Sequence, residues 1–144
     1  MCGITGYIFK NKSVDDKNVI TNMTDSMVHR GPDDKGINVL TWTKNISNIA
    51  IGHRRLNIID LTNHSHQPMS NEDENIWLVF NGEIFNHHEI EKELKDKGHE
   101  FKTSSDTETI IHAWEEWGVD CVHHFRGMFA FIIWDDNKKE LFVA

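Results

Sequence analysis

The chain has 144 residues, with 15 Lys and Arg against 23 Asp and Glu and a formal charge of -8. That length makes one domain, able to bury roughly 70% of the surface its unfolded chain exposes. The acidic balance, without a Lys/Arg run, argues against nucleic acid or an anionic membrane as a partner. No basic segment leads into an apolar stretch and no run reaches eighteen apolar residues, so neither a signal peptide nor a membrane span is expected, and the protein is expected in the cytoplasm. Cys2 and Cys121 form no disulfide framework and read as thiols in a reducing compartment.

The chain begins Met1-Cys2-Gly3-Ile4-Thr5-Gly6. Removal of the initiator methionine before a small residue would leave Cys2 with a thiol and a free α-amine together. An N-terminal amine titrates near ~7.7–8, so a useful fraction is free base at neutral pH and can serve as general base to its own side chain. The plainer alternative makes Cys2 only the start of an apolar strand, which runs to Phe9 and reads as buried on both faces.

Ser13 and Asp16 resemble a capping box, and Val19, Ile20, Met23 and Met27 keep helical spacing to about Val28. His29-Arg30-Gly31-Pro32-Asp33-Asp34 breaks that period and reads as a polar, function-bearing loop. Asn38–Thr43, Asn48–His53 and Leu56–Leu61 read as strands, with Arg54 as a surface charge and Arg55 as a cation that wants an anion. Thr62–Glu74 reads as a surface loop. Ile76–Phe80 is a strand running into Asn81-Gly82, the strongest short turn signal.

Asn86 with Glu89 reads as a helix start stapled by Phe85 and Ile90, and Gly98 as its end. A short strand is expected at Phe101. Ser105 and Glu108 form another capping box, opening a helix through Ile110, Ile111, Trp114 and Trp117 that stops at Gly118. Asp106 falls in its first turn, where the dipole favours a carboxylate. Met128–Trp134 and Glu140–Ala144 read as a hairpin. The ten histidines are not spaced with the cysteines as zinc ligands would be, so no metal site is expected.

Cys2-Gly3-Ile4, His29-Arg30-Gly31-Pro32-Asp33, Arg55-Leu56-Asn57-Ile58-Ile59-Asp60, Gln67-Pro68, Asn81-Gly82-Glu83-Ile84, Ser105-Asp106 and Arg126-Gly127-Met128-Phe129-Ala130 occur in this order. In them the chain resembles the N-terminal glutaminase domain, a class II glutamine amidotransferase, of glutamine-hydrolysing asparagine synthetases. The resemblance implies an α+β fold of the N-terminal nucleophile hydrolase type, a four-layer αββα sandwich of two face-to-face antiparallel sheets with helices on both outer faces. It implies that Cys2 is the nucleophile, with its own amine as base. It also implies that the Asn81 side chain and the Gly82 N–H hold the oxyanion. Arg55 would take glutamine's α-carboxylate and Asp106 its α-ammonium, assisted by Glu83 and by backbone groups of Ile58 and Ile59. These roles suit the residue types: a guanidinium matches a carboxylate two-prongedly, and preset donors stabilise a tetrahedral oxyanion.

No cofactor or metal is implied in this domain. ATP and magnesium belong to the synthetase domain that follows it in the family, which amidates aspartate; that domain and the glutaminase's last strands are expected to be missing here, so the fold is expected to be C-terminally incomplete. The expected partners are glutamine and that synthetase domain, with a homodimer left open. The rival expectation is a catalytically silent remnant that binds glutamine or another subunit.

Overall fold

The computed structural model describes residues 2–9, 16–42, 47–56 and 66–144. Strands β1 (Gly3–Phe9), β2 (Asp34–Trp42) and β3 (Ser47–Arg55) form one antiparallel sheet in the order β1-β3-β2. Strands β4 (Met69–Ser70), β5 (Ile76–Ile84), β6 (Gly127–Asp135) and β7 (Glu140–Val143) form a second antiparallel sheet in that order. Helix α1 (Asp16–Asp25) packs on the first sheet, and α2 (His87–Asp96) and α3 (Asp106–Trp117) cover the second.

The two sheet faces follow from residue parity. Along β5, Ile76, Leu78, Phe80 and Ile84 point out to meet Ile90 and Leu94 of α2 and Ile110, Ile111 and Trp114 of α3. Val79 points the other way, into a core between the sheets with Ile49 and Ile51 of β3 and Trp134 of β6, flanked by Ile4, Leu40 and Trp77. Helix, sheet, sheet and helix thus make four layers, as a chain with one-sided helices and two-sided strands requires. Asp135 ties two layers together: its carboxylate accepts from the Trp114 indole at 2.9 Å and from the Asn137 and Lys138 N–H groups at 3.0 Å each, closing the β6–β7 turn under α3.

Several local expectations change. Strand β1 lies at a sheet edge and is mostly half-buried rather than enclosed, because β3 covers one side of it alone. Helix α1 ends at Asp25, and turns carry the chain to Arg30. Asn86 stands at the N-cap of α2, but its side chain makes no capping bond; its amide accepts from Arg126 N–H at 2.8 Å and donates to the His124 carbonyl at 3.0 Å, and Phe85 is exposed instead of stapled. Ser105 caps α3 through Thr107 N–H at 3.2 Å, but Glu108 turns to Lys102 and Thr103 instead of closing the box. Phe101 lies outside any strand, packed on the helix-side core. Within Thr62–Glu74, Gln67 is buried and Met69–Ser70 pairs as β4, so part of the expected surface loop is sheet. Ser13 and the Leu56–Leu61 strand beyond Leu56 lie outside the described residues.

Candidate active site

Strand register brings the first candidate residues together. Gly3 pairs with Arg54 and Asp34 with Arg55, so one further step sets Cys2 level with Arg55 at the end of the first sheet. Ile4 faces the inter-sheet core, and alternation sends Cys2 to that same inner face. On β3, Ile49 and Ile51 face inward, so His53 and Arg55 do too, while Arg54 faces α1. Arg54 is therefore not a surface charge: its side chain is 12% exposed, donates to the Thr24 carbonyl at 3.2 Å and pairs with the Asp25 carboxylate. The sequence could not show this because the anion it meets lies 29 residues away.

The His29–Asp34 loop stitches Cys2 to β3. Arg30 Nε donates to the Cys2 carbonyl at 3.4 Å, and Asp33 N–H donates to the Arg55 carbonyl at 3.1 Å. Gly31 lets the loop lie flat on β3, for a Cβ there would stand 2.5 Å from the Arg54 carbonyl carbon.

The Asn81-Gly82 pair is not a turn. Strand β5 runs straight through it to Ile84, with Asn81 opposite Ala130 and Gly82 opposite Phe129. Nine-residue pairing with β6 overrides the local turn preference. Gly82 keeps its own requirement, with φ +152° and the Met128 carbonyl 2.2 Å from where a Cβ would sit. Asn81 shares parity with Val79 and faces inward.

Past the two residues of β4, the edge of β5 is lined by side chains in place of a strand. Gln67 Oε1 accepts from Phe80 N–H at 2.6 Å, and Asp106 Oδ2 accepts from Ile84 N–H at 3.1 Å. Between them, strand alternation turns the Gly82 N–H to the same edge. His53, from the inner face of the opposite sheet, lies near enough to the backbone of Phe80 to act on its protonation. Burial pushes the His53 imidazole down to about 4, so it is neutral, and its Nε2 is buried without a partner.

Asp106 is raised above its ordinary 3.8 by burial, which the Ile84 N–H and the nearby His87 only partly offset. Glu83 is exposed and near enough to Asp106 and His87 to act on their charges. Ile58 and Ile59 lie outside the described residues. Cys121 is buried and free, its thiol pushed up to about 12 by burial. Sequence reasoning missed His53 and the role of Gln67. The available signal for His53 was the inward stripe Ile49, Ile51, His53, Arg55, apolar for two positions and then polar.

An αββα sandwich of two facing antiparallel sheets has the fold of the N-terminal nucleophile hydrolases. The chain belongs to the glutamine amidotransferase domain family, whose model matches residues 1–144. It is 39% identical over 147 residues to glutamine-hydrolysing asparagine synthetase 3 of Bacillus subtilis, covering 100% of this chain and 23% of that protein. A putative glutamine-hydrolysing asparagine synthetase 2 of Methanocaldococcus jannaschii is 43% identical over 159 residues, covering 100% of this chain and 30% of that protein. The chain thus spans less than a third of the length of these relatives. In fold it resembles the glutamine phosphoribosylpyrophosphate amidotransferase of Bacillus subtilis, with a TM-score of 0.70 and 23% identity over 92% of this chain and 35% of that one.

Proposed function

We propose that the chain hydrolyses glutamine to glutamate and ammonia through a thioester on Cys2. With Met1 removed, the α-amine of Cys2 takes the thiol proton as sulfur attacks the side-chain carboxamide carbon. The carbonyl π electrons move to oxygen, and the Asn81 side chain and Gly82 N–H stabilise that oxyanion. Collapse breaks the C–N bond, and the protonated amine gives its proton to the departing ammonia. Water then attacks the thioester, releasing glutamate and restoring the thiol.

Arg55 binds the α-carboxylate and Asp106 the α-ammonium, with Glu83 and the backbone of Ile58 and Ile59 assisting. Clamped at its α-end, the substrate delivers its amide to the thiol, which replaces a bimolecular encounter by a positioned one. In a longer protein like the relatives, the ammonia would serve ATP-dependent synthesis of asparagine from aspartate in an adjoining synthetase domain. The observation that supports this reading is the Gly82 N–H turned to the β5 edge between those of Phe80 and Ile84, beside inward-facing Asn81, with Cys2 and Arg55 on the inner face of the other sheet.

The test is Cys2→Ala. Glutamate release from glutamine should vanish while glutamine binding remains measurable by calorimetry, since Arg55 and Asp106 do not need the thiol. Hydrolysis that persists in this variant overturns the reading.

A further inference from the structure

Away from the Cys2 end, α3 carries His112 and Glu115 three residues apart, one turn of the same face. His99, in the segment after α2, comes to meet them. Glu115 Oε2 lies 2.8 Å from His112 Nδ1 and 3.5 Å from His99 Nδ1, and one donor atom from each of the three residues falls within 4.8 Å of the others. We propose that His99, His112 and Glu115 form a binding site for a divalent transition metal of the zinc type.

The surroundings match what such ligands need. A metal-bound imidazole is normally held by a carboxylate or carbonyl on its other nitrogen, which fixes ring orientation and raises basicity. His99 presents Nε2 to Glu116 Oε2 at 3.4 Å. His112, its side chain only 3% exposed, presents Nε2 to Glu108 Oε1 at 3.8 Å, an ion-pair distance beyond a direct hydrogen bond. Glu115 is itself held by Asn71, whose Nδ2 donates to Oε1 at 2.8 Å and leaves Oε2 to the histidines.

Access and ligand number also fit. His99 and Glu115 line a cleft of about 300 Å³ that also touches Asn71, Asp73 and Asn75, and it can supply water for a fourth, open position. Two imidazoles and one carboxylate are a known donor set for four-coordinate zinc, with ligands about 2.0–2.2 Å from the metal. Donors around such an ion stand roughly 3.3 Å apart, so closing the set asks movement of about an ångström, which His99, on the segment after α2, can supply. The proton shared between His112 and Glu115 leaves as the metal enters. The bound ion would clip α3, which begins at Asp106, to the segment leaving α2.

The test is a titration of the whole chain with zinc chloride, followed by calorimetry, in a Cys2→Ala background so that the thiol does not contribute. One zinc per chain should bind, weakened at least tenfold by His99→Gln and by Glu115→Gln, with circular dichroism confirming that both variants fold. His88→Gln, in the separate surface group His87, His88 and Glu91, should leave binding unchanged. Absence of one-to-one binding in the parent overturns the proposal. So does binding that survives His99→Gln or follows His88→Gln.

Discussion

Gln67 supplies through its side chain the hydrogen bond that a longer β4 would have given Phe80, accepting from that N–H at 2.6 Å. Its own amide nitrogen is only loosely engaged, 3.4 Å from Thr107 Oγ1. Gln67→Ala should leave a buried donor unpaired at a cost of about 1–3 kcal/mol in unfolding free energy. It should also slow hydrolysis, because Asn81 is the next residue. Asn81→Ala should cost more in rate, roughly 10²–10³, with little loss of stability, as expected for a donor used mainly in the transition state. Denaturation curves and steady-state rates on the two variants separate a positioning role from an oxyanion role.

Arg54 and Arg55 should respond oppositely to the same substitution. Arg55→Lys keeps the charge but loses the planar fork, so glutamine binding to a Cys2→Ala protein should weaken. Arg54→Lys should leave glutamine affinity unchanged and lower stability instead, since it loosens the contact with Thr24 and Asp25 that holds α1 on β3. Paired binding titrations and thermal melts check both. The reverse pattern would mean that the inner and outer faces of β3 are interchanged.

Glutamine affinity should fall on acidification earlier than an ordinary aspartate would cause. Burial raises Asp106 above 3.8, so the carboxylate that meets the α-ammonium is lost at a higher pH than usual. Asp106→Asn should bind weakly at every pH and remove this acid limb. The measurement is glutamine affinity against pH for the two proteins.

Stability should show a second acid limb from His53. Its pKa is about 4 when folded and near 6.5 when unfolded, so the unfolded chain binds more protons between these values. The stability contributed by neutral His53 is full above 6.5 and is lost as pH falls toward 4, on the order of 3 kcal/mol. His53→Gln should flatten urea unfolding energies across that window. An unchanged slope would show that burial does not hold the imidazole neutral.

The parts of this fold that read directly from the chain are those in which local pattern and tertiary role agree. The period of Ile110, Ile111 and Trp114 gave α3, Gly118 its end, and the apolar runs gave β5 and β6. The short motifs around Cys2, Arg55, Asn81 and Asp106 carried a family resemblance, and it is that resemblance which assigns them to one site. Legibility failed where a distant partner decided the outcome. Asn81-Gly82 reads as a turn until β6 is laid beside it, Arg54 reads as exposed until Asp25 arrives, and Gln67 reads as loop until it meets Phe80. Asn86 and Glu108 look like capping residues, yet each spends its polar atoms on a different chain segment. The histidine spacing suggested no metal site, because His99 meets His112 and Glu115 from another segment of the chain.

The contrast between the two cysteines has a practical consequence for covalent chemistry. Cys121 is fully buried with its thiol pushed up to about 12, so at neutral pH it offers an electrophile almost no thiolate. Cys2 sits half-exposed at the mouth of the inter-sheet space. A small alkylating reagent should therefore modify the folded chain once, and the count of modified molecules becomes a count of competent nucleophiles. A glutamine-shaped electrophile would add selectivity through Arg55 and Asp106, turning the same single adduct into an activity-based label.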